Sequence, residues 1–215
     1  MGFLAYSAQQ MSTTFPQHWP SWLDNQIWPQ IQTMMLSDAY FKLMGRAREI
    51  TGQFNGPIAR LIETGYVTSQ TVAIRRLCDR NKDVISLRRL LIEAADPHDP
   101  LIAQLSSRLD DCTRVVDLVN NHVVHTANPL RRPDAVEWNL QVGQLVEAQK
   151  AICEVAVKVD RDVLRRKNYV KIIPVPQFNI MQEFKSWVSD DEIKKLWEFW
   201  HTHNDAVNAW CGTSF

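Results

Sequence analysis

Apolar residues return every three or four positions along most of the chain, and this spacing predicts helices. The clearest run is Trp138, Val142, Leu145, Gln149, Ile152, Ala156, Val159 and Val163, in which only Gln149 is polar. It predicts one long helix, begun by Asp134 with Glu137 as a capping box and reaching about Arg166. Such a seam suits packing against near-antiparallel neighbours. A second run, Leu105, Leu109, Cys112, Val116, Val119 and Val123, predicts an unbroken helix to about His125. Asp99-Pro100 supplies its cap and first turn. Ser189-Asp190-Asp191-Glu192 is a capping box for a last helix ending near Trp210.

Elsewhere prolines and glycines set the boundaries. Residues 1–20, with Pro16 and Pro20, read as an irregular lead-in. Residues 21–36 read as a helix kinked or split at Pro29, and Asp38 as the start of another through about Ile50. Thr51-Gly52 and Gly56-Pro57 punctuate the chain, and Pro57 opens a helix to about Ile62. Gly65 is expected to interrupt it, with helix resuming from Ser69 to Asp79 and again from Ser86 to Ala94. Within residues 168–180, Val170, Ile172, Ile173 and Val175 are β-branched, but Pro174 and Pro176 forbid a central strand, so an extended segment crossing the surface is predicted. The class is all-α: a bundle of roughly six or seven helices over 21–167, then the extended segment and a C-terminal helix packed on it over 168–215.

Composition agrees with this class and narrows the chemistry. The chain has 215 residues, 45% of them hydrophobic, and only seven glycines, few for a sheet-rich fold. Its 24 basic and 24 acidic side chains cancel, so any nucleic-acid site must be a local patch. The four cysteines, Cys78, Cys112, Cys153 and Cys211, match no zinc ribbon and no CxxC pair. They read as reduced, mostly buried thiols in a reducing compartment. Neither a transmembrane helix nor a signal peptide is predicted, and Tyr6 stands where a myristoylation signal needs Ser or Thr. A cytoplasmic location is the expectation.

The stretch richest in candidate chemistry is Arg114 to Pro129, RVVDLVNNHVVHTANP. At about 100° per residue, Arg114, Asp117, Asn121 and His125 gather opposite the apolar stripe. His125 at a helix C-terminus is placed to work as a general acid or base near neutral pH. The solvated back of any amphipathic helix has the same pattern. Within this stretch Asn120-Asn121-His122-Val123-Val124-His125-Thr126 resembles the signature of the HEPN superfamily: an Arg, commonly followed by Asn, then a His after four to six residues. Two further stretches, Thr71 to Asp79 with Asp83 to Leu91, and Ile173-Pro174-Val175-Pro176-Gln177-Phe178, resemble its AbiU-like branch, which is linked to phage abortive infection.

This resemblance, over roughly residues 30–180, implies a homodimer and a metal-independent ribonuclease of phage-defence or toxin–antitoxin type. It implies attack of a ribose 2′-OH on the adjacent phosphate, with His125 handling protons beside Asn121. The chain departs from the signature at Asn120, where the family has Arg. Arg114 lies too far upstream to replace it directly, so Arg114, Arg131 or Arg132 substitutes only if the fold or a partner chain brings it near His125. Two function classes therefore stay open: an RNase, and a non-catalytic helical interaction module with a degenerate motif. RNA and an antitoxin or other defence protein are the partners the resemblance implies.

Other features add less. Ten basic and four acidic residues lie between 42 and 89, and Arg75, Arg76, Arg80, Lys82, Arg88 and Arg89 form either a phosphate-binding face or a solvated one. Arg76 and Asp79 are spaced to pair, and some of these arginines are expected to brace the core. His122 with His125, and His201 with His203, lack companion ligands at metal-site spacing, so no metal and no cofactor is predicted. Trp19, Trp22, Trp28, Trp187, Trp197, Trp200 and Trp210 cluster toward the two ends, as for a core where the termini pack.

Overall fold

Two helices formed by the N-terminal third of the chain make the wall on which the rest assembles. The computed structural model describes residues 16–52, 56–94, 99–120, 142–167, 170–173 and 179–210. Helix α1 (His18–Trp22) runs through a wide π turn, Leu23–Ile27, into α2 (Trp28–Thr51). The predicted break at Pro29 is thus a change of helical pitch just upstream. The Trp28 N–H bonds back to Leu23 O across the π turn, which is where the strain of a proline in a helix is taken up. The predicted lead-in to residue 20 is correspondingly too long. Asp38 starts nothing: it lies fully buried in the middle of α2. Gly52, at φ 67°, ends α2 in the left-handed conformation that glycine adopts without a Cβ clash.

Pro57 opens α3 (Pro57–Leu77), which continues through Gly65 without the predicted interruption. A helical glycine costs about 1 kcal/mol against alanine, and the burial of Gln70, Thr71, Ile74 and Leu77 further along outweighs that. A Cβ built on Gly65 meets nothing within 4 Å. Gly65→Ala is therefore expected to stabilise the protein by about 0.5–1 kcal/mol, read as a higher midpoint in denaturant.

Helices α4 (Leu87–Ala94) and α5 (Pro100–Asp110) follow, the latter capped by Asp99, whose Oδ1 accepts from Leu101 N at 2.8 Å. The predicted single helix over 100–125 breaks at Asp111–Cys112 before α6 (Thr113–Leu118). Adjacent aspartates are poor helix formers, and here both side chains are engaged: Asp110 by Arg88 and Arg80, Asp111 by Arg108. The turn tightens, with Cys112 N bonded to Leu109 O at 3.1 Å. Val115 and Leu118 join the buried face as a result.

Helix α7 (Val142–Lys158), extended by a π turn at Val159–Val163, buries Leu145, Gln149, Ile152, Ala156, Val159 and Val163 as its seam predicts. Val142 departs from that seam: at the first position of the described helix it is exposed. The predicted Asp134–Glu137 cap and Trp138 lie outside the described residues. The segment after α7 is not a surface crossing where it is described. Ile172 and Ile173 are buried, and the Ile172 N–H donates to Asn208 Oδ1 at 3.1 Å. A short 3-10 turn, Ile180–Phe184, then precedes α8 (Asp190–Ala209) with its predicted Ser189–Glu192 capping box.

The architecture is all-α, and among the described residues there is no strand. Helix α2 packs on α3 and α8, α3 on α6 and α7, and α5 on α4 and α7. One hydrophobic cluster links them, from Ile31 and Leu43 through Ile74, Leu90, Leu105 and Ile152 to Leu196. Trp19, Trp28 and Trp200 are buried in that cluster, with Tyr40 stacked on Trp200. No helix among the described residues is long and apolar enough to cross a membrane.

Candidate functional site

The end of α3 meets the end of α6. Arg75, in the last turn of α3, donates from Nε to Asn120 Oδ1 at 2.7 Å. Asn120 is half-buried and sits in a π turn that continues α6. A guanidinium from α3 thus stands directly against Asn120, 45 residues away in sequence. A second Arg75 nitrogen lies 3.6 Å from Asp79 Oδ2, so the pairing is Arg75–Asp79, not the predicted Arg76–Asp79. The i,i+4 spacing suits the end of the helix better than i,i+3, since Asp79 already lies beyond Leu77.

Two small depressions flank this pair. One, of about 200 Å³, is lined by Arg75, Cys78, Asp79, Arg80, Val116 and Asn120. The other, of about 220 Å³, shares Cys78, Arg80 and Val116 and adds Arg88, Thr113 and Asp117 among its walls. Together they form a trough between the α3–α4 connection and α6. The connection is held in shape locally: Ser86 Oγ donates to Asp79 O at 2.5 Å, and Asp79 Oδ1 accepts from Asn81 N at 2.8 Å. Arg88 is buried beneath it, donating to Ser106 O at 2.9 Å and to Asp110 Oδ1 at 2.6 Å. Arg88 is one of the arginines that brace the core.

The other predicted site residues divide clearly. Arg114 and Asp117 are exposed on α6, and Asp117 borders the trough. Arg76 does not join Arg75. It is exposed about 100° around α3 from Arg75, at the edge of a larger groove of about 800 Å³ between α2 and α3. The predicted phosphate face of Arg75 with Arg76 is therefore split across the helix, as adjacent helical positions require. Asn121, His122, His125, Arg131 and Arg132 lie outside the described residues.

A second polar constellation was not read from the sequence. The Asp38 carboxylate, wholly buried, accepts a short hydrogen bond from the Tyr66 hydroxyl and pairs with Lys42 Nζ at 2.7 Å. Gln149 Nε2 lies 3.4 Å from it and donates to Gln70 Oε1 at 2.9 Å, and Gln70 in turn donates to Met34 O. His203 Nε2 stands 3.6 Å from Asp38 Oδ2, while His201 stays on the outer face against Trp197. Burial acts to raise the Asp38 carboxyl; the His203 imidazole, the Lys42 ammonium and the Tyr66 hydroxyl outweigh it and hold it at about 2. Burial and the neighbouring Asp38 charge push the Tyr66 phenol upward. The network ties α2, α3, α7 and α8 together. Gln149, the one polar residue on the α7 seam, was its trace in the sequence.

Among the described residues no group of three or more His, Cys, Asp or Glu is placed to hold a metal ion. No family model, curated protein or solved structure matches the chain.

Proposed function

We propose that this chain is an HEPN-like, AbiU-like protein of prokaryotic phage-defence or toxin–antitoxin type that cleaves RNA without a metal, in the cytoplasm and as a homodimer. The observation that carries the reading is the Arg75 Nε–Asn120 Oδ1 bond at 2.7 Å. It supplies a positive charge at the position where Asn120 alone offers none. In the reaction, His125 takes the proton from a ribose 2′-OH as that oxygen attacks the adjacent phosphorus. Arg75 stabilises the charge that gathers on the phosphoryl oxygens, and the 5′-oxygen of the next nucleotide leaves with the proton that His125 returns. Antitoxin or defence-protein partners belong to the same proposal.

The rival, a non-catalytic interaction module, is favoured by a specific observation. Each trough arginine already has an acidic neighbour: Arg75 has Asp79, and Arg80 and Arg88 share Asp110. A phosphate has to displace or share these contacts. The test is cleavage of labelled RNA with chelator present. The wild type is expected to cut, and His125→Ala to cut at least about 100-fold more slowly with its thermal unfolding unchanged. An RNA left intact by the wild type, or full activity in His125→Ala, would decide for the module. The dimer is expected to be two-fold, through residues 100–126, and light scattering at micromolar concentration reads it directly.

A further inference from the structure

The groove of about 800 Å³ between α2 and α3 has no part in the site described above. The two helices are antiparallel neighbours. Phe41 stacks on Tyr66, and further along Gln70 Nε2 donates to Met34 O at 3.1 Å. The α2 wall of the groove runs from Asn25, in the π turn, to Ser37, and the α3 wall from Leu61 to Arg76. Leu61 stands 71% exposed on that wall. Arg76 is the single charged residue in either wall. Among the described residues it has no acidic partner, whereas Arg75, Arg88 and Arg89 each have one.

We propose that this groove is the docking site of the chain's own residues 1–15, with residues 3–11 bound as an amphipathic helix. Charge is the first reason. In a chain with 22% charged residues, residues 1–15 hold no Asp, Glu, Lys, Arg or His. A charged side chain pressed into this groove loses its water and finds no partner away from Arg76. The segment brings none. Pattern is the second reason. Leu4, Ala8 and Met11 recur at i, i+4 and i+7, which puts them on one helical stripe, with Gln9 and Gln10 away from it. Such a stripe is what a helix lays into an apolar groove, and Leu61 and Val72 are there to meet it.

Reach is the third reason. The described chain begins at Pro16, whose carbonyl accepts from Trp19 N at 3.1 Å at the start of α1. From Pro16 to Asn25, where the groove begins, the helical rise is about 13 Å. Ser12 to Phe15, drawn out, span about 13 Å as well. Thr13, Thr14 and Phe15 are residues that favour an extended backbone. Residues 3–11 as a helix then cover about 12 Å of an α2 wall about 18 Å long. A helix folded back in this way runs antiparallel to α2. Gln70 lies level with Met34, so Arg76 lies level with the start of α2. The C-terminal end of the docked helix therefore arrives at Arg76, where its last carbonyls accept from the unpaired guanidinium.

The docking does not depend on the ribonuclease reading, since it can occur in a protein that cleaves nothing. The test uses the full chain with photoreactive p-benzoylphenylalanine in place of Phe3, irradiated at micromolar concentration and mapped by mass spectrometry. The expected product is a cross-link within one chain, migrating as a single chain on a denaturing gel and seated between Thr33 and Ser37 or between Leu61 and Thr68. Thr33→Arg, at an exposed position, puts an unpartnered charge in the groove wall and should lower the yield at least about tenfold. Amide exchange at residues 3–11 of the chain without the photoreactive group gives a second reading, at least about tenfold slower than in Thr33→Arg. Circular dichroism checks folding, and Leu61→Arg repeats the test from the other wall should Thr33→Arg fail to fold. Cross-linked dimers whose share rises with protein concentration would give the groove to a second copy's segment and overturn docking within one chain. Cross-links on another surface, no cross-link, or a yield unchanged by the groove variants would overturn the docking itself.

Discussion

Asp38→Ala is expected to destabilise the fold by about 3–5 kcal/mol, because it removes the acceptor that buried partners share. Lys42 loses its carboxylate at 2.7 Å and the Tyr66 hydroxyl loses its acceptor, while His203 loses the carboxylate it faces. Asp38→Asn keeps the size and one acceptor but loses the charge, so a smaller loss is expected. Denaturant unfolding at neutral pH measures both. The same carboxylate fixes the sign of a pH effect. Its folded value, about 2, lies below the ordinary value of 3.8. Its contribution is therefore fully present above about pH 4 and is lost as pH falls through about 2, amounting to about 2 kcal/mol at neutral pH. The wild type should lose stability faster than Asp38→Asn across that window. An alanine variant within about 1 kcal/mol of wild type would show that the buried network is incidental to stability.

The parts of this fold that were legible in the sequence are those governed by local chemistry. Asp99-Pro100 and Ser189–Glu192 cap helices because a side-chain oxygen reaches a backbone N–H two or three residues on, which needs no tertiary information. The Leu145 to Val163 seam was readable because its period persists over many turns. Misreadings arose where a distant contact overrode a local preference. Asp38 has a cap-forming side chain, but Tyr66, Lys42 and His203 give its carboxylate partners inside the bundle. Gly65 is a poor helical residue, yet α3 is carried across it by residues buried beyond. No breaker residue marks the turn at Cys112, where the engaged aspartates of the preceding helix end it. The trough was least legible of all. Arg75 and Asn120 stand 45 residues apart, so nothing local announces their contact.

Arg75→Ala is expected to lower RNA cleavage by about 100- to 1000-fold if Arg75 stabilises phosphoryl charge. The loss of stability should be small, about 1 kcal/mol, since the side chain is part-exposed and its bonds run to one amide and one carboxylate. A rate that falls far more than stability separates a chemical role from a structural one. The sequence alone suggests that Asn120→Arg fits by running its methylenes along apolar surface and adds phosphate affinity. The structure changes that expectation, because Arg75 Nε already lies 2.7 Å from Asn120 Oδ1. A second guanidinium there faces the first, so Asn120→Arg alone should weaken the α3–α6 contact and give no gain in cleavage. Exchanging the pair, Arg75→Asn with Asn120→Arg, restores one guanidinium and one amide with their positions reversed. That double variant should recover at least about a tenth of wild-type cleavage while Arg75→Asn alone does not, a coupling expected only for residues in contact. Wild-type rates in Arg75→Ala would transfer the role to Arg114, Arg131 or Arg132. A double variant as inactive as Arg75→Asn would show that the charge must come from α3, where Asp79 also holds it in place.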